Sequence, residues 1–303
     1  MCGVGLVTMS ESFEDPFGLG THRQRLDEAE TVERMLEAGA QMVRESGLRI
    51  SFDLLRLEDV IAHAGVSRSA VYKRWPRKEL FYSELLLRLA GAVHPATAAF
   101  DLGTPTVVTG VAHEYLDWFR TAEGRRRLLI EMCRLGALQN FDALHERPDW
   151  RIYMTLHSAL LTLPYNSYRE ALATALANSE RGFLQKMTEF YSVMMDILGY
   201  RFKDDSGDFG MPEFAALGAA AVEGVVLTSG ATPDLATRRF LLDPFNVGRR
   251  QDWSYPAISF TCLVESLLEQ GDRSRWSDER MTKTDAALVA LAEAVGGSAT
   301  QQG

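Results

Sequence analysis

Cysteine is scarce in this chain. Of 303 residues only Cys2, Cys133 and Cys262 are cysteines, an odd number set far apart, so no disulfide framework is expected. Positive charge is not in excess either. With 41 acidic residues against 32 Lys and Arg, the net charge is −9, and nucleic acid is not attracted by the protein as a body. There is no Gly-rich phosphate loop, serine elbow or metalloprotease motif, which leaves no constellation for an enzyme and none for a cofactor. No apolar stretch approaches the length of a membrane-spanning helix. The apolar run Met1 to Met9 lacks a preceding basic region and is short for a signal peptide. No internal repeat and no alternating strand pattern of useful length is visible. What remains is a cytoplasmic, all-α chain with enough residues for one large or two ordinary domains.

Against this background one segment stands out, Leu57 to Leu80. Leu57, Val60, Ile61 and Ala64 recur at three- and four-residue spacing and mark one apolar helix face. Gly65 follows where a helix commonly ends in a left-handed residue, and Ser67 is placed to cap a second helix. In that helix Val71 and Trp75 point inward, leaving Arg68, Ser69, Tyr72 and Lys73 outside. Val66 to Lys78 carries Arg68, Lys73, Arg74, Arg77 and Lys78 with no acidic residue. Two helices joined by a Gly-containing turn, the second with a basic outer face, suit entry into a DNA major groove. Basic charge confined to one segment of an acidic chain implies a localised DNA contact.

Three parts follow along the chain. Residues 1 to 25 read as an extension of low order. Residues 26 to 93 read as the helix-turn-helix domain, and 94 to 303 as a larger helical domain, to which the family resemblance given below assigns ligand binding and dimerisation. In the first helix, Glu28 to Glu45, the stripe of Val32, Met35, Leu36, Met42 and Val43 closes the core of the small domain. Gly39 on that face permits close approach of a neighbour. Lys78 to Val93 forms a fourth helix that His94-Pro95 should end. Further helices are expected at 106–120, 124–139, 150–163, 167–198, 211–228, 257–270 and 285–295. The longest opens on a capping box of Ser167 and Glu170. Residues 232 to 256, with three prolines and paired arginines, read as a loop with at most a short helix.

The segment from residue 28 to 92 resembles the tetracycline-repressor (TetR) family of bacterial transcriptional regulators. The matching residues are Ile61-Ala62, Ala64-Gly65-Val66-Ser67, Val71-Tyr72 and Trp75-Pro76-Arg77-Lys78-Glu79-Leu80. The resemblance implies a homodimer, most commonly a repressor released from a palindromic operator by a small molecule bound in the second domain. It also implies that Tyr72 and Lys78 hold backbone phosphates. Two features depart from the family. Phe52 to Arg56 offers no Ser or Thr cap for the second helix, and the chain is longer than usual at its N-terminus and around 232–256.

Candidate site residues follow. Arg68, Ser69 and Lys73 are the candidates for base-edge contact, with Ser67 and Arg74 able to reach phosphate beside Tyr72 and Lys78. Trp118, Phe119, Met132, Met154, Met187, Phe190 and Met194 are large, adaptable apolar residues. Each is ordinary core material; together they are candidates to line a cavity for an apolar effector. The small residues of the 211–228 helix, with the 257–270 helix, are the expected dimer interface. His113 and Asp117 lie four apart but lack a third metal ligand, and Cys133 reads as a buried small hydrophobe. The alternative to a regulator is a helical protein-interaction module with a repurposed helix-turn-helix.

Overall fold

The computed structural model describes residues 26–46, 55–92, 103–163, 166–203, 207–271 and 276–297. The expected low-order extension, most of the connector after Gly47 and the helix stop at His94-Pro95 lie outside these residues. Within them the protein is mostly helical, with twelve α-helices and four short strands.

Helix α1 (Glu28–Ser46) starts where Asp27 accepts the backbone N–H of Glu30 at 2.7 Å. It buries Met35, Leu36, Ala38, Ala40 and Val43 against α2 (Leu57–Ala64), α3 (Arg68–Arg74) and α4 (Lys78–Ala92). Gly39 is where α4 comes closest: a Cβ there would stand 3.0 Å from a methyl of Leu85. Helix α2 begins at Arg56 with no side-chain cap and ends at Gly65, whose φ of 66° is left-handed. Ser67 then caps α3 by accepting the Ala70 N–H at 3.3 Å.

The second part is a stack of longer helices. Helix α5 (Gly103–Glu114) is followed by a short 3-10 turn at Leu116–Arg120 rather than continuing as one helix. Next come α6 (Ala122–Glu146), capped by Thr121, and α7 (Pro148–Leu160), with proline in its first turn. Helix α8 (Ser167–Leu198) matches its expected bounds. Its cap is Asn166, which accepts the Arg169 N–H at 2.9 Å, and not the expected Ser167. The side chain one residue earlier already satisfies the first-turn donor. Helix α9 (Met211–Ser229) leads through the single-turn α10 (Asp234–Thr237) to α11 (Tyr255–Leu267) and α12 (Asp278–Gly297).

The expected loop at 232–256 holds a hairpin, in which β2 (Phe240–Leu242) pairs antiparallel with β3 (Gln251–Trp253). A second ladder joins β1 (Tyr200–Phe202) to β4 (Leu268–Gln270). Three-residue strands are too short to show alternation, so only pairing defines them. Helix α9 corrects another expectation. At 19 residues and a mean hydropathy of 1.3 it is long and apolar enough to cross a membrane. Here it packs on α6, α8 and α11.

The core under α1 to α4 also takes in residues beyond position 93. Ile152, Tyr153 and Leu156 of α7 and Leu172 and Leu176 of α8 are buried in the same cluster as α1 to α4. At 32 residues α8 is about 48 Å long, enough to run from this cluster to the one under α11.

Candidate functional site

Two features carry chemistry: the outer surface of α3 and a cavity inside the second helical stack. Helix α3 has seven residues and cannot hold its own shape, so its orientation comes from behind. Val71 and Trp75 are fully buried, and Trp75 packs edge-on against Phe81 of α4. Ser67, Arg68, Ser69, Tyr72, Lys73 and Lys78 are all exposed, as the spacing predicts. Arg68, Lys73, Arg77 and Lys78 form no ion pair among the described residues.

Arg74, a candidate for phosphate, already has partners within the protein. Its Nη2 donates to Glu84 of α4 at 2.8 Å, its Nε lies 3.8 Å from Glu28, and its guanidinium covers the Trp75 ring at 5.2 Å. These contacts brace α3 against α1 and α4. Tyr72 donates its hydroxyl to Glu58 of α2 at 3.2 Å. Glu58 is held below the usual carboxylate range by its own backbone N–H and then by Tyr72, while this bond pushes the phenol up. Beside this surface runs a groove of about 760 Å³, lined by Asp27, Glu28 and Glu30 on one wall and Ser67, Ser69 and Lys73 on the other. Arg34 and Arg74 also line it, paired with Glu30 and Glu28, so the basic face has a margin of mixed charge.

The cavity lies between α5, α6, α8, α9 and α11 and has a volume of about 90 Å³. Met132, Met187, Phe190 and Met194 line it as expected. The other three candidates do not. Trp118 stacks on Tyr115 at 4.3 Å, Phe119 packs against Trp276, and Met154 packs on the core under α1 to α4. The 3-10 turn after Glu114 carries Trp118 and Phe119 away from the cavity. Sequence reasoning missed Cys133, Tyr191, Met195, Tyr200, Phe214 and Phe260 as lining. For Tyr191 and Met195 a signal existed: with Met187, Phe190, Met194 and Leu198 they fall on one face of α8.

Among the described residues no charged side chain lines the cavity. Its polar groups include the Tyr191 and Tyr200 hydroxyls, the Cys133 thiol and Asn140. Burial pushes the Cys133 thiol and the Tyr191 phenol well above their ordinary values, so both stay neutral. Tyr200 is pushed up to about 12, also by burial, and its hydroxyl accepts from Gln270 at 3.1 Å.

His113 faces Asp285 at 3.5 Å, while Asp117 lies beside Arg120. No group of three or more metal-ligating side chains occurs among the described residues. No protein-family model matches this chain, and no curated protein matches it.

Proposed function

We propose that this protein is a ligand-responsive, DNA-binding transcriptional regulator of the TetR type, acting as a homodimer in the cytoplasm. The observation that carries the reading is the outer face of α3. Arg68, Ser69, Tyr72 and Lys73 are exposed together on a helix locked from behind by Val71 and Trp75. A helix held in place, with exposed cationic groups beside the Ser69 and Tyr72 hydroxyls on its outer side, can donate to guanine O6 and N7 and to phosphates. In a two-fold dimer the two copies would read a palindromic operator, with half-sites about one DNA turn apart.

The dimer surface is proposed on α9 and α11, which pack side by side. Leu217, Ala220, Gly224 and Leu227 are exposed along α9, and Cys262 and Ser266 along α11. Such a stripe suits a four-helix bundle across the two-fold axis. The effector is proposed to be small, apolar and uncharged, because an ion would enter the cavity without a charged partner.

Fluorescence anisotropy with the region upstream of the protein's own gene tests the reading. Specific binding should be lost in the Arg68→Ala, Lys73→Ala double variant; full retention would refute the assigned face. A second reading, a protein-interaction module, is favoured by the acidic wall at Asp27, Glu28 and Glu30. Salt separates the two. Several phosphate contacts make affinity fall steeply between low and moderate salt, and a mixed-charge protein contact does not.

A further inference from the structure

A pair of part-buried acids sits where α7, α8 and α9 meet. Glu180 of α8 accepts the hydroxyl of Tyr153 of α7. Glu223 of α9 faces the same point, and its Oε1 is sealed from solvent without a hydrogen-bond partner. The buried indole of Trp150, also on α7, lies against it with Nε1 likewise unsatisfied by good geometry. Around them Phe183, Ala219, Val222 and Val226 make an apolar cluster. Tyr153 itself belongs to the core shared with α1 and α4. The pair thus lies on the seam between the helices that dock the N-terminal unit and the helix assigned to the dimer.

We propose that Glu223 and Glu180 form a proton-gated joint: with Glu223 protonated the seam is closed and the N-terminal unit is held in its DNA-binding orientation, and with Glu223 ionised the seam loosens and DNA affinity falls. The part concerning DNA rests on the function proposed above. Among the described residues no cation pairs with Glu223 or Glu180. Burial first, and then the charge of Glu180, disfavours the Glu223 carboxylate, with Trp150 opposing them weakly; its pKa is pushed up to about 7. Tyr153, pushed far above its ordinary value by burial and Glu180, stays neutral. His157 packs against Tyr153 with the two rings tilted by 58°. His145 of α6 meets α9 at Ser229, six residues or about 9 Å further along. Arg239, beyond α10, acts on Asp142. Glu213 lies almost three turns away at the start of α9, and Glu265 of α11 is paired with Arg126.

The sign follows from the raised pKa. The folded protein binds this proton more tightly than the unfolded chain, whose glutamates titrate at about 4.5. The joint is therefore at full strength below about pH 4.5, weakens as pH rises to about 7, and changes little beyond. Around neutrality the neutral form falls about tenfold between pH 6 and pH 8.

Hydrogen exchange in α7 (148–160), corrected for intrinsic rates, tests the joint on the full-length protein without DNA. Wild type should lose protection between pH 6 and pH 8, by up to about tenfold, set by that change in neutral Glu223. Glu223→Gln, which mimics the neutral acid, should hold the same protection at both. Glu180→Gln removes the like charge that raises the Glu223 pKa and should move the wild-type transition to lower pH. A flat wild-type profile, or one that persists unchanged in Glu223→Gln, overturns the joint. Affinity for the upstream DNA should fall over the same range in wild type and not in Glu223→Gln. Constant DNA affinity beside changing α7 protection overturns the link to DNA. Absence of any DNA binding refutes the proposed function instead, while the exchange result still decides the joint.

Discussion

Trp75 meets Phe81 edge to face, with ring centroids 5.2 Å apart and planes 78° apart. This contact fastens the end of α3 to the first turns of α4. Trp75→Ala is expected to cost about 3–5 kcal/mol, the usual range for an emptied aromatic core site. Trp75→Phe should cost less, since the indole Nε1 has no partner to lose. Urea unfolding of the two variants checks the order.

The turn between α2 and α3 can be tested through backbone strain alone. A Cβ at Gly65 would meet nothing within 4 Å, so Gly65→Ala carries only the cost of a left-handed φ. That cost is about 1–2 kcal/mol. Ser67→Ala, which leaves the Ala70 N–H without its acceptor, should cost about 1 kcal/mol. Both are read from denaturation midpoints.

Lys73 and Arg74 are neighbours with opposite expected phenotypes. Lys73→Ala should leave the melting temperature unchanged and, if Lys73 meets a phosphate, lower the salt slope of DNA binding by about 0.9. Arg74→Ala should lower the melting temperature, because Glu84 loses its partner and Trp75 its cover. Its salt slope should stay at the wild-type value. The reverse pattern would reassign both residues.

Met194→Ala enlarges the cavity between α6, α8 and α9 and is expected to destabilise the protein by about 2–5 kcal/mol. The same variant should bind a neutral aromatic probe such as indole more tightly than wild type. Indole-3-acetate should bind at least about tenfold more weakly than indole, because a buried carboxylate there has no cation to meet. Calorimetry with both probes checks this, and equal affinities would remove the argument for an uncharged effector.

Much of the N-terminal unit was legible in the residues. The spacing of Leu57, Val60 and Ile61, the glycine at 65 and the cap at Ser67 are local signals, and each describes a contact made within a few residues. The same holds for the bounds of α8 and for its Met187–Met194 face. Legibility failed where partners are distant in sequence. The β2–β3 hairpin is held by Gln251 donating to Glu131 at 2.8 Å and Arg134 donating to Asp252 at 3.1 Å, contacts that span about 120 residues. Trp118 and Phe119 looked like Met132 in composition, and only the 3-10 turn after Glu114 excluded them from the cavity.

By itself the sequence determined that the protein is helical, which residues face inward on each helix, and which short helix presents a basic face, because periodicity, caps and charge act over one or two turns. Tertiary structure alone decided the rest. It turned Arg74 into a brace by setting Glu84 beside it, chose four of the seven cavity candidates, and brought Glu223 to Glu180 from 43 positions away. A side chain's charge and shape are local properties, but its burial, its partner and the proton it holds depend on which helices pack against it.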